Sequence, residues 1–401
     1  MPALPTEPSP AAPEAAGSPS SAPPPSSHRV KSRFSRRGVI GAAGAVAAAA
    51  VVTPIVSAAP ADGTKDSAAD TTGNGQGNGV SAGPGESVET FPETRSQAAT
   101  GERPVEADFP IGHVGVRWDG PADGAEIRLR RPDGGQGAWK PLGGGCSPAN
   151  GGVALVAAGG AAGYVLKAAK GVTGVRSLAI DTTKGPRHGV AVPKDTTRVR
   201  GVAYRSRAAW GADESKRLNP DGTENSPRVY YPFQTVTVHH TDTVNADPDP
   251  AATVRAIYEF HAIDNDWGDI GYHFLIDADG VIYEGRYSGD EGLPAHDADG
   301  DLVTAFHVGG FNSGNLGIAL LGDLTEEGPT VAASDALTRL VSAVARLHGL
   351  DPAAELTYVN PVNGVTKDVR SISGHRDWME TDCPGDVMYG ELAALRERVT
   401  A

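Results

Sequence analysis

Polar and apolar positions divide the chain into stretches of different period. Across residues 105–183, Val114-Gly115-Val116-Arg117-Trp118, Glu126-Ile127-Arg128-Leu129-Arg130 and Ala138-Trp139 alternate apolar with polar between glycine-rich turns. A period of two marks half-buried strands, so residues 104–184 predict a small all-β accessory domain, with a β-sandwich as its expected form. Trp118 and Trp139 are expected in its core, the alternative being platforms for a glycan.

After a polar connector at residues 185–202 the elements alternate in type. Residues 235–239 read as a β-branched strand, and 252–262 as a helix with Val254, Ile257, Tyr258 and His261 along one face. Residues 271–276 and 281–284 flank Asp277-Ala278-Asp279-Gly280 as a hairpin. The short apolar run at 317–321 predicts a central strand buried on both faces. Leu337, Leu340, Val341, Val344 and Leu347 recur at helical spacing, with Ser334 or Asp335 to cap the start and Gly349 the end. A last helix covers 386–399. Residues 203–401 therefore predict an α/β domain, a mixed central β-sheet flanked by helices.

The amino-terminal part differs again. Residues 59–103 hold few large apolar side chains, as in Asp70-Thr71-Thr72-Gly73-Asn74-Gly75-Gln76-Gly77, and are expected to be a disordered linker. Before them, Ser35-Arg36-Arg37-Gly38-Val39-Ile40 leads into an Ala/Gly-rich apolar run and resembles a twin-arginine export signal spanning residues 1–58. Val56-Ser57-Ala58 offers the small residues of a cleavage site; an uncleaved anchor is the alternative. The expected location is outside the membrane, in the extracellular space or cell wall, with the membrane touched only through the signal.

Acidic residues outnumber basic ones by 49 to 35, a net charge of -14. Loss of the signal would remove more basic than acidic residues. Such a surface repels a phosphate backbone, which argues against nucleic acid as a partner. Two cysteines, Cys146 and Cys383, exclude a disulfide-stapled scaffold, and they are expected not to pair with each other.

The candidate chemistry lies in the last domain. His239 ends its strand, and His375 and Cys383 sit in Gly374-His375-Arg376-Asp377-Trp378-Met379-Glu380-Thr381-Asp382-Cys383-Pro384-Gly385. Two imidazoles and a thiolate make three zinc ligands, which leaves a fourth position open, as catalytic sites do. Scattered histidines beside a buried cysteine are the competing reading of these residues taken alone.

Further blocks occur in order: Thr237-Val238-His239-His240-Thr241, Ile270-Gly271-Tyr272-His273-Phe274-Leu275-Ile276, Ile282-Tyr283-Glu284-Gly285-Arg286 and Gly310-Phe311-Asn312-Ser313-Gly314-Asn315-Leu316-Gly317-Ile318. Ser206-Arg207-Ala208-Ala209-Trp210-Gly211-Ala212 precedes them. Together with the Gly374 block they resemble the peptidoglycan-recognition and type-2 amidase family over residues 203–400. The resemblance implies that family's fold, with Zn2+ on His239, His375 and Cys383. It implies hydrolysis of the amide between N-acetylmuramic acid and L-alanine in peptidoglycan, with Tyr272 stabilising the oxyanion and Thr381 as a weaker donor.

The proton's route to the leaving amine stays open between Tyr272 and solvent on the metal. His307 and Asn312 fall where the family lines its substrate groove. His240 is expected to support the site from the neighbouring face or simply to pack, and His273 to point away from the metal. His113, His188, His261, His296 and His348 lie outside the matching motifs. The acidic run Asp297, Asp299, Asp301 reads as a solvated loop rather than a calcium loop. A cysteine pair common in the recognition proteins is missing after the His-His segment, so the loop at 241–250 needs other contacts. The implied molecule is a monomeric zinc hydrolase; a non-catalytic wall-binding module and a hydrolase of some other exported amide are the alternatives.

Overall fold

The computed structural model describes residues 80–121, 124–143, 151–193, 197–290 and 292–400. The segment expected to direct export, the part of the expected linker through residue 79 and Cys146 lie outside the described residues.

The amino-terminal half of the described chain is built from β1 (Glu86–Pro92), β2 (Arg95–Thr100), β3 (Val105–Asp119), β4 (Ala125–Arg130), β5 (Lys140–Leu142), β6 (Gly151–Ala168), β7 (Thr173–Asp181) and β8 (Arg187–Pro193). Six of them form one sheet in the order β2-β7-β3-β6-β4-β5, and β1 pairs with β8 in a separate ribbon. The accessory region is thus all-β as its alternation indicates, but it is a single long-stranded antiparallel sheet and not the expected sandwich.

The second layer is the neighbouring α/β region. On β3, Val114, Val116 and Trp118 face the sheet's own core, while Gly115 faces the helical domain so closely that a Cβ there would meet the Phe260 ring at 2.3 Å. Gly115 lies opposite Leu155 on β6 and Leu178 on β7. Phe260 therefore sits on a bare patch of backbone between two leucines, and all three side chains belong to one buried cluster with Val254 and Ile257. Trp118 is a core residue whose Nε1 donates to the Pro121 carbonyl at 2.7 Å. Trp139 is half-buried and packs under the guanidinium of Arg128.

Two expected connectors carry strands. The linker foreseen through residue 103 gives way to β1 and β2, and the one at 185–202 to β8. Their cohesion comes from partners remote in sequence: β1 pairs with β8, β2 with β7, and Arg95 bonds the buried Asp181 at 2.6 Å. Ladder hydrogen bonds and one buried ion pair take the place of apolar content, which composition could not register.

The α/β region follows with a small ribbon, β9 (Thr197–Val199) and β10 (Val202–Tyr204), a short helix α1 (Arg207–Trp210), β11 (Tyr230–Tyr231), β12 (Thr235–His240), α2 (Pro250–Glu259), β13 (Phe274–Ile276), β14 (Ile282–Glu284), β15 (Leu302–Val303), β16 (Asn315–Leu320), α3 (Val331–His348), β17 (Glu355–Val359), β18 (Thr366–Arg370), β19 (Ile372–Gly374) and α4 (Asp386–Arg398). Its central sheet runs β14-β13-β16-β12-β19, parallel except for β14, and matches the mixed sheet the sequence predicts. Ile318 and Leu320 of β16, with Val236 and Val238 of β12, pack against Leu337, Leu340, Val341 of α3 and Leu392, Leu395 of α4. Ala319, of opposite parity, faces α2. The sheet is buried on both sides, as its unbroken apolar run requires.

Helix α3 begins a turn earlier than Ser334 or Asp335 would set it. Thr330 is the cap, its Oγ1 accepting from Ala333 N at 3.1 Å, and Gly349 ends the helix at φ 66°. The loop after β12, which lacks a cysteine pair, is held by polar contacts: Thr241 and Thr243 hydroxyls lie 2.8 Å apart and both accept from Gly322 N, while Asn245 bonds the backbone of Asp323. In the acidic run, Asp297 accepts from the backbone of Asp299 and Asp301, a self-contained turn. Among the described residues no helix is long and apolar enough to cross a membrane.

Candidate metal centre

Strand register brings the two predicted imidazoles together. In the parallel pair of β12 and β19, Val238 lies opposite Gly374, so the next residues, His239 and His375, emerge side by side at the carboxyl ends of neighbouring strands, where open α/β sheets place their ligand sites. Their ring centroids are 4.6 Å apart. Parity turns His239 toward α2 and away from α3.

Beyond His375 the chain makes a short turn and folds back, with Arg376 N donating to the Cys383 carbonyl at 3.0 Å. Cys383 Sγ then lies 3.5 Å from His239 Nδ1. One ligand atom from each of His239, His375 and Cys383 falls within 4.8 Å of the others, and all three residues are buried. Such a group is close enough to share one ion, since zinc bonds to nitrogen and sulfur run about 2.0–2.3 Å.

Two observations test whether these residues fit a metal. His375 is 1 % exposed, and neither ring nitrogen has a hydrogen-bond partner among the described residues. A buried polar atom left in that state costs about 1–3 kcal/mol, and a bound cation would satisfy it. The second concerns His239. The Asn315 carbonyl can only accept, so His307 Nε2, 3.0 Å away, carries the proton; His307 Nδ1 then accepts from His239 Nε2 at 3.0 Å. Burial, and next the neighbouring His239 and His273, hold His307 well below the usual imidazole range, so it is neutral. The chain of donors leaves His239 Nδ1 with its lone pair facing Cys383, the outer hydrogen bond that metal-binding histidines typically make. The donor set fits Zn2+.

His307 is thus placed behind a ligand, 6 % exposed, with its ring over Gly317 so closely that a Cβ there would come within 2.6 Å. Asn312 accepts through Oδ1 from the backbone of His307 and Val308 at 2.9 and 2.7 Å. Both residues also border the cleft, the position foreseen for them, but the polar atoms named here shape its floor.

Tyr272 lines the cleft, its ring 5.3 Å from that of His239. His273 points away, as alternation predicts: Nδ1 accepts from Gly317 N at 2.9 Å and Nε2 donates to the Val303 carbonyl at 2.7 Å. Thr381 Oγ1 accepts from Cys383 N at 3.2 Å and so braces the thiolate's loop. His240 faces α3, where its Nδ1 accepts from Leu324 N.

Sequence reasoning missed other members. His261 lies in a π-helical turn, Phe260–Asp264, that extends α2; the wider turn re-aims the ring, which packs 5.5 Å from Tyr272 and accepts from Gly271 N. Trp267 packs beyond it, the ring centroids 4.8 Å apart and the planes tilted by 49°. The cleft these residues border has a volume of about 520 Å³, and its opposite wall comes from β3, β6 and β7 of the accessory sheet. The alternating strand pattern carried no mark of that contribution.

Residues 229–386 match the family model described as N-acetylmuramoyl-L-alanine amidase. Peptidoglycan-recognition protein LB of Drosophila melanogaster is 30% identical over 194 residues, 47% of this chain and 67% of that protein. The chain belongs to the peptidoglycan-recognition and N-acetylmuramoyl-L-alanine amidase family. An N-acetylmuramoyl-L-alanine amidase of Sus scrofa is 31% identical over 196 residues, and the chain spans 27% of its length. A solved structure of wild-type Drosophila PGRP-LB aligns over 47% of this chain and 91% of its own, at 27% identity and a TM-score of 0.34. Membership rests on the sequence match.

Proposed function

We propose that the protein is an exported zinc-dependent amidase that cleaves the bond between N-acetylmuramic acid and L-alanine in peptidoglycan. The observation that carries this reading is the buried cluster of His239, His375 and Cys383, in which His375 has two unpartnered ring nitrogens facing a cleft. A module that only binds wall fragments has no use for such a set, whose three protein ligands leave a coordination position open.

When bound, Zn2+ supplies Lewis acidity toward a carbonyl oxygen and lowers the pKa of a water it holds. The chain's own residues do the rest. His307, through His239 Nε2, fixes the imidazole orientation, and Thr381 holds the turn that presents Cys383. Tyr272, its ring 5.3 Å from that of His239 and lining the cleft, offers a phenolic donor where negative charge develops on the carbonyl oxygen. Phe306 and Trp267 line the cleft with apolar surface that limits water. The twin-arginine-like segment supports a substrate outside the membrane.

The test is release of new amino termini from wall fragments by the purified protein, with and without chelator, alongside Cys383→Ser. Release that chelator and the substitution both abolish is expected. Equal, negligible release from every form would favour the wall-binding module.

A further inference from the structure

The cleft over His239, Tyr272 and His375 is closed on its far side by the accessory sheet, and that wall carries two guanidinium groups. Arg117 of β3 and Arg176 of β7 lie directly opposite each other in the ladder, and both line the cleft. They have the parity of Gly115 and Leu178, the residues that face the α/β region. Like charges set opposite each other across a ladder destabilise it. A chain with 49 acidic residues has carboxylates to spare for neutralising them, yet it supplies one. Asp264 accepts through its backbone carbonyl from Arg117 Nη1 at 2.8 Å and brings its carboxylate to 3.8 Å. Arg176 is exposed to the cleft and forms no ion pair among the described residues. Of the carboxylates that also line the cleft, Asp119 makes no ion pair with either arginine and packs at Gly174, and Asp242 belongs to the loop after β12.

We propose that Arg117 and Arg176 form a carboxylate-binding subsite, contributed by the accessory sheet, that holds an anionic group of the peptide stem while the amide bond lies over the metal ligands. Guanidinium forks match carboxylates in plane and can bind them through paired hydrogen bonds. Arg117, fixed by Asp264, sets the position, and Arg176, which feels the Asp264 carboxylate without pairing to it, can turn its fork to the ligand. This inference rests on the amidase reading for the identity of its substrate, and it gives the accessory region a function: one wall of the substrate site, selecting stems with free carboxylates over amidated ones.

The full chain, loaded with zinc, is assayed on a muramyl tripeptide with free stem carboxylates and on the same compound with them amidated. Wild type is expected to favour the free acid. Arg176→Gln raises KM for the free acid about tenfold and narrows the preference, and Arg176→Lys restores part of it. Binding of the free-acid tripeptide stem alone, which has no muramyl bond to cut, is measured by calorimetry and weakens about tenfold in Arg176→Gln. Equal handling of the two substrates by wild type, or unchanged stem binding in Arg176→Gln, overturns the subsite. If no form hydrolyses anything but stem binding still falls in Arg176→Gln, the amidase reading fails and the subsite stands.

Discussion

His307 Nδ1 accepts a hydrogen bond from His239 Nε2 at 3.0 Å, and its other nitrogen is committed to the Asn315 carbonyl. The arrangement makes His307 a positioning residue for a metal ligand. Replacing it by alanine leaves His239 free to rotate or change tautomer, and zinc affinity should fall about 10- to 100-fold, the usual cost of losing such a partner. Competition with a chromogenic chelator measures it; unchanged affinity would refute the assignment.

Gly317 exerts the same control from below. A Cβ at this position would sit 2.6 Å from the His307 ring, and overpacking of this kind costs about 1–3 kcal/mol. Gly317→Ala should therefore lower both thermal stability and zinc affinity. A variant with wild-type metal binding would show that the ring can shift without consequence.

The junction of the two regions depends on Gly115, where a Cβ would meet Phe260 at 2.3 Å. Gly115→Val should separate the sheet from α2, at a cost of about 1–3 kcal/mol, and expose Phe260 to solvent. Limited proteolysis between residues 193 and 202 should accelerate. An unaltered digestion pattern would mean that the interface tolerates the bulk.

Acid should destabilise the fold before its carboxylates titrate. Burial pushes His273 down to about 3, and burial followed by His296 and Arg200 pushes His348 down to about 4. In the unfolded chain both titrate near 6.5. The unfolded state therefore binds more protons between those values and about 6.5, and stability, complete above that pH, declines as pH falls through the window. Urea midpoints at pH 7.5 and 5.0 test this: His273→Gln, whose amide can still donate and accept, should show a smaller drop than wild type. An identical drop would assign the effect to other groups.

Much of the site was legible because its chemistry is carried by residue types that stand out. His239, His375 and Cys383 sit in short distinctive blocks, and the register of β12 against β19 does the rest. The helices followed from their periodicity, with α3 displaced by one turn because Thr330 caps better placed backbone than Ser334. His307's part was hidden, since it depends on a carbonyl at Asn315 and a bare surface at Gly317 that only the folded sheet brings beneath it. Strands β1 and β2 were hidden for a different reason: their partners lie far along the chain, at β8 and β7. Arg117 and Arg176 read as ordinary outward positions of alternating strands, and only the docking of Gly115 on Phe260 turns that face inward.

The sulfur that completes the cluster lies 144 positions beyond its first imidazole. No short segment of the polypeptide therefore carries all three donors, and only folding can set them around one point. Denaturation disperses the trio, so any ion it grips should be released as the domain opens, and metal retention becomes a gauge of native structure.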